Sequence, residues 1–525
     1  SPLLPPCENL TATAIWEHFQ ENDGRSRSPK QLCARSNAPA VVNGPAGPQV
    51  PNFISVDGGD SNFGTAWLSQ GCAPQSLYSP LSYQTPNGGA FPFIDVFGVF
   101  DPGYLSTAHI IDPYTSLNQP HDLRTISSEI DPVYRAKNDT FEFNADYNVT
   151  PALTLTSQTA YSKDFLYSTE DFNRFSTVPD FLQDQALDPN SGRSSFGTFV
   201  GQDRQYCDPQ FGCSSRFIAV DRSSETARQF YQEVRLASNY QGPFNFLAGA
   251  NYMTYHTTED YYVFSNLITL FTEQFNHQQF GTTRGVDAPH IPFDEAIANS
   301  CNPQPSPPGP ISGGTYGLGC AYIDPNPIDK VNGQGHNYFL SHNPYAFNSW
   351  AGFGEVYYQI APEIKLTAGA RYTDDKKHFP VFPSQALMLG KGVPQSCVAE
   401  DPACVDGVVD QEWRKWTGRA VVNWTPKLDF TDQTMVYASL ARGYKGGGAN
   451  PPGVVGVSFQ GFSIASPSDL THPLTFKPEY NNALELGTKN TALDGAVVFE
   501  ADVFYYKYKN YQSSQIVDRT AVNFN

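Results

Sequence analysis

The stretch KNDTFEFNADYNV, residues 137–149, alternates apolar and polar side chains through its second half. Phe141 and Phe143 fall on one face, and Glu142 and Asn144 fall on the other. Successive side chains of a β-strand point to opposite faces, so this period of two predicts a strand with one apolar and one polar face. A turn follows, and the next segment of the chain alternates in the same way.

The same alternation recurs along the chain and predicts about eleven strands. We expect them at residues 9–20, 137–149, 153–168, 228–236, 244–264, 350–360, 364–374, 416–425, 433–444, 480–490 and 495–511. The connections alternate between short turns and long loops. The long loops are expected at about 21–136, 169–224, 265–346, 379–412 and 446–477. This alternation is typical of a bacterial outer-membrane β-barrel, whereas loops of this size are uncommon in a compact soluble domain.

The composition fits an all-β membrane protein and argues against other classes. Aromatic residues make up 14% of the chain, with 29 Tyr and 37 Phe, and many flank the predicted strands. Rings at the depth of lipid headgroups would account for them, although a soluble β-sandwich also packs aromatic side chains. No apolar run reaches about 18 residues, so no transmembrane helix is predicted. The net charge of −19 argues against a nucleic-acid partner.

We therefore predict an all-β fold, a transmembrane antiparallel β-barrel with long disulfide-stapled extracellular loops. Residues 1–525 are assigned to one portion of a single barrel domain. In lipid every strand edge must be paired, so the sheet must close, and single-chain bacterial barrels normally have an even number of strands. The odd strand count, together with a first segment that lacks the features of a signal peptide, leads us to expect an internal portion of a longer protein.

The nine cysteines fall into four pairs, with Cys7 left over. Each pair lies in one Pro/Gly-rich stretch between strands: Cys33 with Cys72, Cys207 with Cys213, Cys301 with Cys320, and Cys397 with Cys404. This placement indicates loop-stapling disulfides formed in an oxidising compartment. Metal binding is the alternative, but no Cys-x-x-Cys spacing or accompanying His cluster favours it.

The sequence contains no catalytic constellation, so we expect neither an enzyme nor a required cofactor. The loops are the expected ligand-binding elements, and their candidate residues are Trp67, Tyr78, Tyr83, Tyr104, His336 and Tyr338. For each of them the alternative is a place in the small core that a folded loop needs. Asp324, Asn326 and Asp329 offer oxygens to a calcium ion, although two prolines in that segment favour a rigid turn.

Two segments resemble TonB-dependent receptors. The first, YASLARGYKGGGAN at residues 437–450, is a strand that ends in a Gly-aromatic-Lys-x-Gly-Gly element. The second combines Lys-Pro-Glu at 477–479 with LELGTKN at 484–490, a Glu-x-Gly-x-Lys strand. Supporting likenesses are AGARYTDD at 368–375 and WAGFGE at 350–355. The signature residues are Gly443, Lys445, Gly446, Gly447, Gly448, Asn450, Pro478, Glu479, Glu485, Gly487 and Lys489.

Each signature residue also has a physical interpretation of its own. The glycines at 446–448 would let the strand bend sharply into its loop, with Lys445 extending from the rim. Pro478 suits the start of a strand, where no hydrogen-bond donor of the ladder is lost. Glu485 and Lys489 lie on one strand face, where they form either a structural charge network or ligand contacts.

The resemblance implies a barrel of roughly 22 strands that is filled by an N-terminal plug, and a TonB box that reaches the energy-transducing complex. We find neither plug nor TonB box before the first strand, so coupling to the TonB complex would use an N-terminal region missing from this sequence. The implied function is import of a scarce small nutrient across the bacterial outer membrane, by default a metal chelate such as a ferric siderophore. The implied partners are outer-membrane lipid, the TonB complex and that ligand. The alternatives are a passive porin-like channel and an extracellular binding or scaffold β-protein.

Overall fold

The computed structural model describes residues 9–35, 41–43, 49–51, 72–73, 75–86, 114, 117–172, 175–179, 181, 203–267, 269–270, 324–331, 339–381, 385–386, 407–450, 458–459, 462–463, 475–517 and 520–525. Most of these residues lie in β-strands. Within those ranges, no helix has the length and apolar character needed to cross a membrane.

Eleven strands form one antiparallel sheet in which every strand pairs with the next one in the chain. They are β1 (Leu10–Asp23), β2 (Val133–Thr150), β3 (Leu153–Asp171), β4 (Ala219–Ser238), β5 (Phe244–Ser265), β6 (Phe339–Ala361), β7 (Ile364–Val381), β8 (Gly407–Trp424), β9 (Gln433–Lys445), β10 (Glu479–Ala492) and β11 (Val497–Lys509). The predicted strand count and the antiparallel order are confirmed.

Short strands lie in the long connections and after β11. They are Ala34–Arg35, Val41–Asn43, Gln49–Pro51, Cys72–Ala73, Tyr206–Asp208, Gly212–Ser214, Gln385–Ala386, Gly448–Ala449, Ser458–Phe459, Phe462–Ser463, Thr475–Phe476, Ser513–Val517 and Thr520–Phe524. A 3-10 turn spans Pro80–Ser82, and Gln385–Ala386 adds to the main sheet beside β6. The other pieces form small hairpins or ladders of their own.

Several strands run further toward the long connections than the alternation predicted. β4 begins at Ala219 rather than residue 228, β6 at Phe339 rather than 350, and β8 at Gly407 rather than 416. The added segments carry charged or polar side chains on both faces, as in Asp221-Arg222-Ser223-Ser224-Glu225. A two-faced pattern develops only where one face is apolar, so the sequence rule identified the amphipathic part of each strand and missed its polar extension.

Register sorts the side chains of the sheet into two faces. Trp16, Phe141, Tyr161 and Phe230 are successive register partners on β1 to β4, and they share one face. We call this the apolar face. Its side chains are solvent-accessible, and Trp16 is 72% exposed. The opposite face, here called the polar face, carries the intervening residues, which include Glu142 on β2.

Aromatic side chains stand at both ends of the apolar face. Near the short turns they are Tyr147, Phe244, Tyr358 and Trp424. Toward the long connections they are Trp16, Phe141, Tyr161, Phe230, Tyr252, Trp350, Tyr372 and Trp416. Rings of Trp350 and Tyr372 lie 5.7 Å apart, and those of Tyr372 and Trp416 lie 5.1 Å apart. An apolar band between two aromatic rows is the surface expected of a strand sheet that faces lipid.

The hydrophobic clusters of the described residues lie at the end of the sheet that borders the long connections. Tyr262 and Phe264 at the end of β5 pack against Phe211, Ile328 and Val331. A second cluster joins Cys33, Tyr114 and Phe175, with Cys72 and Leu117 packed against it. We refer to the described segments of the long connections together as the cap. The cap therefore has its own small hydrophobic centres, which hold it on the polar extensions of the strands.

Candidate functional site

The polar face of the sheet is cross-linked by hydrogen bonds between side chains of different strands. Arg419 on β8 donates through Nε and Nη2 to the Glu355 carboxylate on β6, at 2.7 and 2.9 Å. A Cβ at Gly369 on the intervening β7 would lie 2.7 Å from that carboxylate, so the glycine leaves room for the pair. Arg371 on the same strand donates to Asn251 Oδ1 at 3.2 Å. These charged side chains are thus paired within the sheet.

The signature strand β10 belongs to the same kind of network. The Tyr437 hydroxyl on β9 donates to Glu485 Oε1 at 2.5 Å, and Lys489 Nζ lies 3.5 Å from Glu500 Oε1 on β11. A Cβ at Gly487 would lie 2.6 Å from the Tyr437 ring, so the glycine makes space for that ring to cross the strand. Of the two interpretations of Glu485 and Lys489, this geometry favours the structural charge network.

The three consecutive glycines that follow Lys445 form a tight corner. The Lys377 ammonium donates to the Gly447 carbonyl oxygen at 2.7 Å and lies 5.4 Å from the Trp413 ring centroid. A Cβ at Gly447 would clash with the Phe476 carbonyl oxygen, and one at Gly448 would clash with the Phe476 ring. Close packing therefore requires glycine at positions 447 and 448, whereas the sequence led us to expect glycine there for a sharp bend. The glycines with positive φ among the described residues lie elsewhere.

Residues after β11 hold this corner in place, and the sequence reasoning missed them. The Gln512 side-chain amide donates to the carbonyl oxygens of Gly446 and Lys477, both at 3.0 Å, and its main-chain NH donates to Glu479 Oε2 at 2.7 Å. Asn450 and Asn523 exchange two further hydrogen bonds of 2.9 and 2.8 Å. The signature residues Gly446, Asn450 and Glu479 therefore serve as anchors for the segment after β11. No periodic pattern marks Gln512, which explains why it escaped notice.

One predicted disulfide staples the first long connection. Cys33 and Cys72 are bonded, with their Cα atoms 4.9 Å apart. Cys33 is fully buried, its NH donates to the Ser82 carbonyl oxygen at 2.8 Å, and its carbonyl oxygen accepts from Gln84 NH at 3.0 Å. Lys30 lies on the same segment and donates from Nζ to the carbonyl oxygens of Pro120 and Asp122, at 2.5 and 2.7 Å. This part of the cap is thus pre-ordered.

An ion-pair cluster, here called the Arg27 lock, joins the first connection to the sheet. Arg27 Nη2 lies 2.7 Å from Asp221 Oδ1 on β4 and 3.7 Å from Glu170 Oε1 on β3. Glu170 also accepts from the hydroxyls of Ser26 and Ser28, at 2.6 and 2.9 Å. Both carboxylates are buried, with side-chain exposures of 5% for Glu170 and 7% for Asp221.

The surroundings shift the pKa values of the two carboxyls in the Arg27 lock in opposite directions. Desolvation acts to raise the pKa of Glu170, but its serine hydrogen bonds and the Arg27 charge outweigh it and leave the pKa below its usual value. Desolvation raises the pKa of Asp221, with the neighbouring Glu170 adding to the effect against the attraction of Arg27. Two carboxylates that share one guanidinium cannot both be stabilised fully.

The second predicted disulfide that the structure describes closes the hairpin at residues 206–214. Cys207 and Cys213 are register partners and are bonded. Asp208 between them is buried, and burial raises its pKa to about 6 although it accepts hydrogen bonds from the main-chain NH groups of Gln210 and Phe211.

The same hairpin contacts the segment for which calcium was considered. Gln210 Nε2 donates to the carbonyl oxygens of Asp324 and Asn326, at 2.6 and 2.8 Å. Asp324 Oδ1 accepts from both the main-chain NH and the side-chain amide of Asn326. These oxygens are engaged in a turn, and in the described part of the chain no three His, Cys, Asp or Glu side chains group as a metal site. Calcium binding through Asp324, Asn326 and Asp329 stays a prediction.

The remaining loop candidates divide between the surface, the cap interior and the segments outside the described residues. Tyr78 is 92% exposed, whereas Tyr83 is buried and stacks on the His121 ring at 4.2 Å, as its packing alternative required. The candidates outside the described residues are Trp67, Tyr104, His336, Tyr338, Cys301, Cys320, Cys397 and Cys404. Cys7 lies outside them as well.

Comparison with known proteins identifies the family. The family described as TonB dependent receptor-like, beta-barrel matches residues 73–525. No curated protein sequence matches the chain. Among solved structures, the ferric yersiniabactin uptake receptor FyuA from Yersinia pestis is 12% identical, with 74% of this chain and 38% of that chain covered and a TM-score of 0.39. The ferric-catecholate import receptor Fiu from E. coli K12, in its closed form, is 12% identical, with 77% and 44% covered and a TM-score of 0.40.

The siderophore receptor PiuA from Acinetobacter baumannii is 13% identical, with 74% of this chain and 42% of that chain covered and a TM-score of 0.38. The chain thus spans less than half the length of each of these three structures. The family match covers most of the sequence, including every strand from β2 to β11. This chain is a member of the TonB-dependent receptor β-barrel family.

Proposed function

We propose that the chain is the ligand-capturing portion of an outer-membrane receptor that imports a scarce small nutrient, with energy supplied by the TonB complex. The observation that carries the proposal is a sheet with two different faces and an ordered cap at one end. The apolar face suits lipid, and the polar face, with its cross-strand hydrogen bonds, suits the lumen of a barrel. The cap suits the side from which a ligand arrives.

The cap supports capture rather than passive passage. A binding loop that is already folded loses less conformational entropy when its ligand arrives than a loop that must be ordered. Here a disulfide between Cys33 and Cys72, the Arg27 lock and the Gln210 contacts each tie the cap to itself or to the sheet. A passive pore would gain nothing from such tethers.

The ligand class follows from family membership alone. Receptors of this family commonly take up ferric siderophores, so a metal chelate is the proposed cargo. It would act as cargo and not as a resident cofactor, and neither catalysis nor nucleic-acid binding is part of the proposal. Contact with the TonB complex would involve the N-terminal region that the family implies, and the barrel would sit in outer-membrane lipid.

Uptake of radiolabelled ferric chelates in cells tests the function. The full-length gene would be expressed in an iron-starved host without its own chelate receptors, with and without a working TonB. We expect uptake of at least one chelate from a chemically varied panel, and loss of that uptake without TonB. Uptake that persists unchanged in cells lacking TonB would overturn energised import.

Planar-bilayer conductance separates the receptor from the porin-like alternative. A receptor should show no steady ion conductance without energy input, because its lumen is blocked in the resting state. A stable open conductance of the full-length protein would instead assign it to the passive channels. Failure of the protein to enter the outer-membrane fraction would favour the extracellular binding protein.

A further inference from the structure

The hairpin at residues 206–214 links two of the long connections. Gln210 at its tip donates to two main-chain carbonyl oxygens of the segment 324–331, at 2.6 and 2.8 Å. Phe211 beside it packs against the end of β5, where the same segment also packs. The hairpin belongs to the connection between β3 and β4, and the segment belongs to the connection between β5 and β6. Opening of the hairpin would therefore separate these two parts of the cap.

The disulfide between Cys207 and Cys213 closes a hairpin that is weak without it. The ladder of the hairpin consists of two strands of three residues each, and a two-stranded hairpin alone is at best marginally stable in water. Asp208 adds a cost, because burial raises its pKa to about 6 and the carboxylate is therefore charged and buried at neutral pH. The covalent link is thus a main contribution to the closed hairpin.

The two disulfides of the described residues differ in how readily a thiol can reach them. In the first, Cys33 is fully buried and Cys72 is only partly exposed. In the second, Cys207 is buried but Cys213 is exposed. Thiol–disulfide exchange begins with the attack of a thiolate on one sulfur, so it requires access to that sulfur. The exposed end of the hairpin disulfide meets this requirement, whereas the buried Cys33 does not.

We infer that Cys213 is a site of modification by small external thiols, and that reduction of its disulfide unlatches the connection before β4 from the connection before β6. A thiolate attacks Cys213 Sγ, the S–S bond breaks, and Cys207 Sγ leaves with the electron pair and takes up a proton. A second thiol then attacks the mixed disulfide and frees Cys213 as a thiol. In total, both cysteines are reduced and two thiol molecules are oxidised to one disulfide. This inference goes beyond the proposed function, since the exchange needs neither cargo nor TonB.

Reduction should make the hairpin open roughly 50-fold more often, which is the loop-closure entropy of a ring whose cysteines are only 6 residues apart. The main-chain NH groups of Gln210 and Phe211 donate to Asp208 Oδ1, so their hydrogen exchange should accelerate by that factor. Once the Gln210 side chain withdraws, the Lys330 NH, which donates to the Pro327 carbonyl oxygen at 2.8 Å, should also exchange faster.

Redox titration of the full-length protein tests the inference, with glutathione as the thiol. The protein is equilibrated at increasing ratios of reduced to oxidised glutathione, free thiols are alkylated, and each cysteine peptide is quantified by mass spectrometry. We expect Cys207 and Cys213 to be reduced at a lower ratio than Cys33 and Cys72, because of the difference in exposure. The glutathione adduct should lie on Cys213. Hydrogen exchange of the same samples then reports the opening.

Two double variants supply the comparison. Cys207→Ser with Cys213→Ser should exchange rapidly at residues 206–214 whether or not glutathione is added. Cys33→Ser with Cys72→Ser is the matched control, and it should keep the wild-type response to glutathione at residues 206–214.

Three results would overturn the inference. They are reduction of Cys33 and Cys72 at the same or a lower glutathione ratio, a glutathione adduct on Cys207 instead of Cys213, and reduction that leaves exchange at residues 206–214 unchanged. Each is measured on the wild type, so the test stands even where a variant fails to fold. Since no readout involves cargo uptake, failure here is distinct from failure of the proposed function.

Discussion

Replacing Arg27 with alanine is expected to release the first long connection from the sheet. The substitution leaves Glu170 and Asp221 buried beside each other, with side-chain exposures of only 5% and 7%. Breaking a buried ion pair by removing one partner costs about 3–5 kcal/mol, and we take the lower end because Arg27 itself is 27% exposed. A change of about 3 kcal/mol shifts the local opening equilibrium by roughly 100-fold.

Hydrogen exchange measured by mass spectrometry on the full-length protein is the appropriate assay, because it reports local opening. The main-chain NH groups of Arg27 and Ser28 donate to Glu170 Oε2 at 2.9 and 3.2 Å, so they should exchange roughly 100-fold faster in the variant. Arg124→Ala serves as the control, since Arg124 is exposed and forms no ion pair with the residues that the structure describes. Unchanged exchange at residues 27 and 28 would show that the Arg27 lock does not hold the cap.

The Arg27 lock should also respond to acid. Because the folded-state pKa of Glu170 is held below its ordinary value of 4.5, its contribution to stability is present above that pH. It is lost as the pH falls through the lower folded-state pKa. The pKa of Asp221 is raised, so protonation of Asp221 favours the folded state as the pH falls and partly offsets this loss of stability. In wild-type protein, exchange at residues 27 and 28 should therefore accelerate below the ordinary glutamate pKa once intrinsic exchange rates are corrected for pH.

Three further predictions concern other parts of the cap. The pKa of Asp208 is raised from 3.8 to about 6 in the folded state, so its hairpin should lose ~3 kcal/mol of stability as the pH rises from about 4 to 6. Hydrogen exchange of residues 206–214 measures this pH dependence, and Asp208→Asn should abolish it. Gly447→Ala should destabilise the corner by about 1–3 kcal/mol through the clash with Phe476, measured as faster proteolysis after β9; an unaffected rate would contradict the packing argument. Replacing Cys33 and Cys72 with serine should weaken ligand binding by slowing association. Binding kinetics equal to those of the wild type would show that this disulfide does not contribute to ligand capture.

The strands were predictable because a local rule governs them. Alternation over a few residues fixes which side chains share a face, and it identified each of the eleven strands from β1 to β11. Alternation failed at the ends of the strands, because polar residues occupy both faces there and no contrast between apolar and polar positions remains. The disulfides at Cys33 and Cys207 were predictable for a related reason, since each partner lies in the same connection.

The contacts of the cap were not predictable, because they join residues that are distant in the sequence. Arg27 lies in the first long connection and Asp221 lies on β4, and only the pairing of β1 through β4 brings them within 2.7 Å. The same is true of Gln512, whose amide reaches Gly446 across the segment that carries β10 and β11. Arginine, aspartate and glutamine are all common in exposed loops, so no local sequence signal marks these contacts.

The pairing of Lys163 with Arg228 on the apolar face lies between these two cases. Once the aromatic row is known, alternation alone places Lys163 two residues after Tyr161 and Arg228 two residues before Phe230, because β3 and β4 run in opposite directions. That they oppose each other depends on register, which a period of two cannot determine. A slip of one residue would turn either cation to the polar face, where it would join the charge network. The opposition of the two cations therefore follows from a local pattern and one long-range fact, the pairing of Tyr161 with Phe230.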